Sequence, residues 1–245
     1  MRRLLESADK PTAGVMSELW RIGKLAVFGG AVRDVARRGV AAFRSDFDLV
    51  VYDSDRANFL QLMASLDARS NKFGGYRIPL PSWHVDVWML EDTWANTAGH
   101  QQVSSIADLV NCTFFTCDAA VFDIQSGVVF FSEDYLEELR RGWIELNLLE
   151  NPNPTGALIR AIRRAILWRG TFGPRLQDFV ARQLSVEDWS TLVRIDAEAF
   201  SRNPILKWCD EADLVRLVGA NLTWQAVRNP GVTEQPSRQL PLPFD

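Results

Sequence analysis

Two short segments constrain this chain more than anything else in it: Val27-Phe28-Gly29-Gly30-Ala31-Val32-Arg33-Asp34 and, shortly after, Ser45-Asp46-Phe47-Asp48-Leu49-Val50-Val51. The first reads as an apolar strand, Lys24 to Phe28, that stops at two glycines and gives way to a helix over Val32 to Arg38. The second opens a β-rich run, Phe47 to Tyr52. Residues two apart on a strand face the same way, so Asp46 and Asp48 project together at the start of that strand. Paired carboxylates repel unless a cation lies between them. Hard oxygen donors of this kind suit Mg²⁺, which takes one or two protein carboxylates and leaves room for substrate phosphates.

Gly29-Gly30 ahead of a helix lets backbone N–H groups approach a phosphate chain, and the helix N-terminus adds a favourable dipole. A third carboxylate comes from His84-Val85-Asp86-Val87-Trp88, where Asp86 is flanked by apolar residues. An Asp-x-Asp or a Gly-Gly is common in plain turns. The order and spacing of all three features together point to metal-dependent nucleotidyl transfer, with an acceptor hydroxyl attacking an NTP in line.

The remaining pattern predicts an α+β fold, a mixed sheet with flanking helices followed by a smaller helical domain. An amphipathic helix is expected near Arg56 to Ala68, strands at Tyr76 to Leu80 and His84 to Met89, and a loop or short helix over residues 91–110. A hairpin is expected from Ala119–Ile124 and Val128–Phe131 around Gln125-Ser126-Gly127, then a helix from Glu133 to Arg140. Asn151-Pro152-Asn153-Pro154 breaks the pattern, which puts a domain boundary there: head 1–150, helical domain 151–228, flexible tail 229–245. In the helical part, Gly156–Arg169, Val186–Phe200 and Glu211–Ala226 read as helices.

Composition removes several alternatives. A net charge of −4 argues against a uniformly basic nucleic-acid-binding domain, leaving Arg160, Arg163, Arg164 and Arg169 as the best local basic cluster. Three cysteines without C-x-x-C spacing and only two histidines make a zinc site improbable and fit reduced thiols. Basic Arg2-Arg3 is followed by no long apolar run, and no stretch reaches the roughly 20 apolar residues of a membrane helix. A cytoplasmic protein without a membrane partner is expected.

Gly29-Gly30-Ala31-Val32-Arg33-Asp34 with Ser45-Asp46-Phe47-Asp48 resembles the head domain of class II CCA-adding tRNA nucleotidyltransferases and bacterial poly(A) polymerases, within the DNA polymerase β-like nucleotidyltransferase superfamily. Phe115-Thr116-Cys117-Asp118-Ala119-Ala120-Val121-Phe122-Asp123 is similar to the family's F-T-I-N-A-L-A-Y-D strand, and Arg160-Ala161-Ile162-Arg163 to the R-A-I-R of its helical neck. The resemblance implies that Gly29 and Gly30 hold the triphosphate and that Asp46 and Asp48 bind the metal ions, with Asp86 in the strand that often carries the third carboxylate. Arg33, Ser45, Arg160 and Arg163 join the nucleotide-binding candidates.

The departures are specific. The family's R-R-D triplet would fall at Asn111-Cys112-Thr113-Phe114, and its E-D-x-x-R base-selecting motif at Asn153-Pro154-Thr155-Gly156-Ala157. Neither region carries the charged hydrogen-bond partners that such selection needs. A divergent transferase acting on an RNA end or a protein, such as a toxin or defence enzyme, fits better than housekeeping CCA addition. Two further features remain. Gln239-Leu240-Pro241-Leu242-Pro243-Phe244 resembles a sliding-clamp-binding peptide, with Gln239, Leu240, Leu242 and Phe244 as anchors, and it supports the alternative of a clamp-tethered adaptor. Trp83, Trp88 and Trp94 flank Asp86, as core or cleft wall more readily than as base-stacking platforms.

Overall fold

Apolar runs in the first half of the chain build one seven-stranded mixed sheet in the computed structural model, which describes residues 10–40, 46–80 and 84–219. Its strands are β1 (Lys24–Phe28), β2 (Phe47–Tyr52), β3 (Arg69–Ser70), β4 (Tyr76–Pro79), β5 (His84–Met89), β6 (Ala120–Asp123) and β7 (Val129–Phe131). They lie in the order β3-β4-β5-β2-β1-β6-β7. Within this sheet, among the described residues, only β2 and β5 pair in parallel. The α+β architecture expected from the sequence is therefore the one observed.

Strand alternation divides the central residues by face. Ala26, Val50, Trp88 and Val121 pack into one apolar cluster with Ile106 and Leu109 of a 3₁₀ segment, Ile106–Cys112. Leu25, Val27, Leu49, Val51, Val85 and Val87 are fully buried on the opposite face. The helices of this unit are α1 (Lys10–Ile22), α2 (Gly30–Arg38), α3 (Arg56–Ser65) and the short α4 (Trp94–Thr97).

Local chemistry fixes the element ends. Asp55 starts α3, its carboxylate accepting from the Ala57 and Asn58 N–H groups at 2.9 and 3.1 Å. The helix stops at Ser65, short of the expected Ala68, because Asp67 adopts a left-handed φ of 49°. Asp67 N–H then donates to Ala64 O and Ala68 N–H to Met63 O, the paired closure that satisfies the last carbonyls of a helix. In the β6–β7 hairpin, Asp123 accepts from the Gln125 and Ser126 N–H groups while the Tyr52 hydroxyl donates to it at 2.8 Å.

The chain divides into two compact units, and the division differs from the expected one at Asn151–Pro154. Among the described residues, the first unit takes 10–113 and 118–135, and the second takes 114–117 and 136–219. The Asn-Pro-Asn-Pro run instead starts a helix, α6 (Pro154–Trp168): Asn153 accepts from the Gly156 N–H, and proline sits where the first helical N–H has no partner to lose. The other helices are α5 (Tyr135–Arg141), α7 (Pro174–Leu184), α8 (Trp189–Ala199) and α9 (Glu211–Gly219), with a small parallel pair of β8 (Trp143–Ile144) and β9 (Thr171–Phe172).

Glu145 organises part of the second unit. Its buried carboxylate accepts from Leu146 N–H at 2.7 Å, Leu176 N–H at 2.8 Å and Arg175 N–H at 3.2 Å, which caps the N-terminus of α7. Glu145→Ala is expected to lower unfolding stability by about 1–3 kcal/mol, since these donors lose their acceptor without gaining water. Urea denaturation measures the effect, and an unchanged midpoint would contradict the capping role.

Candidate active site

The site is built where the sheet register brings acidic residues together. Asp48 lies opposite Phe28 across β1–β2 and opposite Asp86 across the parallel β2–β5 pair. Directly paired residues share a face, so both carboxylates lie on the face carrying Val50 and Trp88, at the end of that apolar cluster. Asp46 precedes β2 and is exposed; Asp48 is half-buried; Asp86 is only 7% exposed. Burial pushes the Asp48 pKa up to about 7, helped by the negative charges of Asp86, Asp46 and Asp118 and opposed by Arg33.

The glycine turn lies against this carboxylate. Gly29 has φ +72°, and a side-chain carbon built there would sit 3.7 Å from Asp48 Oδ2. Its N–H is already spent on Ala120 O at 3.0 Å. The first helical N–H groups, Gly30 to Val32, have no carbonyl to donate to within α2, the arrangement that suits an anion. Gly29→Ala is expected to cost about 1–3 kcal/mol through its left-handed backbone. Gly30→Ala should be far milder, because its new methyl would meet only the Arg33 guanidinium, no closer than 3.5 Å. Thermal unfolding of the two variants side by side checks the contrast, and equal losses would contradict it.

Arg33, expected at the nucleotide, is held within the protein. Its guanidinium bridges Asp34 and Asp118, with the Nε–Asp34 bond at 2.8 Å. The side chain is 11% exposed and lies over Gly30, so it stiffens the turn and sets the position of Asp118. Asp118 itself stands where the resembling strand has Asn, and that difference was its sequence signal. Asp86 has a partner that sequence reasoning missed: Arg77 of β4, whose Nε and Nη2 reach Oδ1 and Oδ2 at 2.9 and 2.5 Å. Only strand pairing reveals this residue, which no motif contains.

Arg163 is buried in the second unit, bonded to Asp196 at 2.6 Å and to Asn203 O at 3.0 Å, with its guanidinium 3.8 Å from the centre of the Phe200 ring. That is an ion pair within the protein, which occupies the guanidinium expected at the nucleotide. Arg160 is half-buried on the same helix. Trp88 is core, donating from Nε1 to Phe73 O, and Trp94 packs on His100. Ser45, Trp83, Gln239, Leu240, Leu242 and Phe244 lie outside the described residues.

The donor set fits Mg²⁺. Every candidate ligand is a carboxylate oxygen, and two of them stand on adjacent strands, which meets the one or two protein carboxylates that this ion needs alongside phosphates. Among the described residues, no three acidic, histidine or cysteine side chains converge as they stand to enclose an ion. Asp86 has both oxygens turned to Arg77.

The sheet order, the glycine turn and the aspartates on β2 and β5 define a nucleotidyltransferase-type fold, and it is the fold of CCA-adding enzymes. The chain superposes on the Thermotoga maritima CCA-adding enzyme complexed with tRNA with a TM-score of 0.58 at 16% identity, covering 96% of this chain and 57% of that one. It matches a CCA-adding enzyme in complex with ATP at 0.57 and 17% identity, with the same coverage, and a tRNA-processing enzyme with CTP at 0.52 and 15%. The chain thus spans little more than half the length of the structures it matches. No protein-family model and no curated protein matches the sequence. Among the described residues, no helix is long and apolar enough to cross a membrane.

Proposed function

We propose that this chain is a Mg²⁺-dependent nucleotidyltransferase that moves a nucleoside monophosphate from an NTP to the end of an RNA. The observation that carries this reading is the register of Asp48 against Asp86, with Asp46 ahead of them and the Gly29–Gly30 turn alongside. Asp46 and Asp48 would hold the ion, with Asp86 available as a third oxygen donor. When bound, Mg²⁺ neutralises the carboxylates and stabilises charge on the transferring phosphoryl group. The chain supplies the positioning: N–H groups from Gly30 to Val32 receive phosphate oxygens, and the Arg33–Asp118 pair keeps that turn rigid.

The RNA acceptor is supported by the tRNA complex of the Thermotoga maritima enzyme. Housekeeping CCA addition is not part of the proposal. Asn111–Phe114 and Asn153–Ala157 lack the charged residues for ribose and base selection, and in the structure Asn153 is occupied as a helix cap. A toxin or defence role is compatible with those losses. The test incubates the protein with Mg²⁺, each labelled NTP in turn, and total RNA. Label should enter RNA with the wild type and not with Asp46→Ala or Asp48→Ala. Transfer to protein in a whole lysate would move the acceptor class, and no binding or transfer with any NTP would sink the reading.

A further inference from the structure

We propose that Arg77 is the resident cation of this carboxylate cluster, holding Asp86 until a divalent ion arrives and then passing to the phosphates of the nucleotide. The inference rests on the nucleotidyl-transfer reading. It starts from geometry: Arg77 meets Asp86 with two nearly parallel bonds, at 2.9 and 2.5 Å, so both carboxylate oxygens are committed to one guanidinium.

The two partners are unequal. The Asp86 side chain is 10% exposed on a central strand, whereas that of Arg77 is 51% exposed on β4. A short buried carboxylate has little room to move, while a long arginine stem can turn outward at modest cost. Arg77 is therefore the partner able to leave.

Charge supplies the reason to leave. Asp46, Asp48, Asp86 and Asp118 act on this small region, and among the described residues Arg33 is already tied to Asp34 and Asp118. Arg77 also feels Asp46 and Asp48, beyond its own partner. A divalent cation entering beside Asp48 competes for the Asp86 oxygens and repels the guanidinium. A triphosphate then offers the displaced fork new anionic oxygens in the planar geometry that arginine matches best. Metal and nucleotide would thus be coupled: the ion frees Arg77, and the freed Arg77 favours the nucleotide.

The test measures binding rather than turnover. Mn²⁺ alone is titrated calorimetrically into wild type, Arg77→Ala and Asp48→Asn, and a non-hydrolysable ATP analogue with Mg²⁺ is titrated into the first two. Arg77→Ala should bind Mn²⁺ about tenfold more tightly than wild type, having lost the competitor. It should bind the analogue at least about tenfold more weakly, having lost the phosphate contact. Arg77→Gln, which keeps length without charge, should show the same two shifts and replaces Arg77→Ala if the latter does not fold. Unchanged or weaker Mn²⁺ binding, with Asp48-dependent binding intact in the wild type, would overturn the role of Arg77 and leave the metal site standing. No Asp48-dependent Mn²⁺ binding in any form would overturn both.

Discussion

Asp48→Asn is expected to lower nucleotidyl transfer by about 10³-fold or more while making the metal-free protein harder to unfold at neutral pH. The two effects have one cause. In the folded protein the Asp48 carboxyl is pushed from an ordinary value of 3.8 up to about 7, first by burial and then by Asp86, Asp46 and Asp118. Between those values the folded state keeps a proton that the unfolded state has lost. This group's contribution to stability therefore falls as pH rises from about 4 to about 7, and the full penalty persists above that range. Asparagine removes the slope. Melting temperatures of wild type and variant, measured without metal from pH 4 to 8, should diverge from pH 4 to about 7 and hold that gap above it, with the variant higher. Adding Mg²⁺ should raise the wild type and leave the variant unmoved, because only a ligand-binding folded state gains from the ion. Parallel curves would mean that Asp48 is not a charge stored for a cation.

The second large effect belongs to the other unit. Asp196 has no exposed side-chain surface; one oxygen pairs with Arg163 at 2.6 Å and the other accepts from the Ile205 and Leu206 N–H groups at 2.7 and 2.9 Å. Asp196→Ala would leave a buried guanidinium and two buried N–H groups without their acceptor. A loss of about 3–5 kcal/mol is expected in chemical denaturation. The double variant Arg163→Leu with Asp196→Leu should lose much less than the sum of the single changes, since no charge is then stranded. Additive losses would show that the pair is not coupled.

What the sequence made legible follows from how far each signal reaches. The glycine turn, the Asp-x-Asp strand and Asp86 could be read because each lies in a continuous segment with its own periodicity, and the sheet then put Asp48 and Asp86 in register. Arg77 could not be read, because its meaning depends on pairing between β4 and β5 and on nothing adjacent in sequence. The ion pair of Arg163 was illegible for a related reason. Its buried acid lies more than 30 residues away in the sequence. Proline was misleading in one place: Pro154 read as a break, yet it stands at the first turn of a helix. The helix that opens at Pro174 was not expected. The β8–β9 pair is too short for any alternation to show.

The excursion of residues 114–117 into the second unit bears on how this protein can be cut. Phe115 is 1% exposed, its ring lies 4.4 Å from the Arg164 guanidinium, and its backbone bridges to Leu146. A fragment ending at Tyr135 would carry that ring without the residues that bury it, and one starting at Leu136 would keep a socket with no plug. Neither half is a contiguous stretch of chain, so a truncation made to isolate the carboxylate site would injure both products. Dissection of this molecule is better done by point substitution than by scissors.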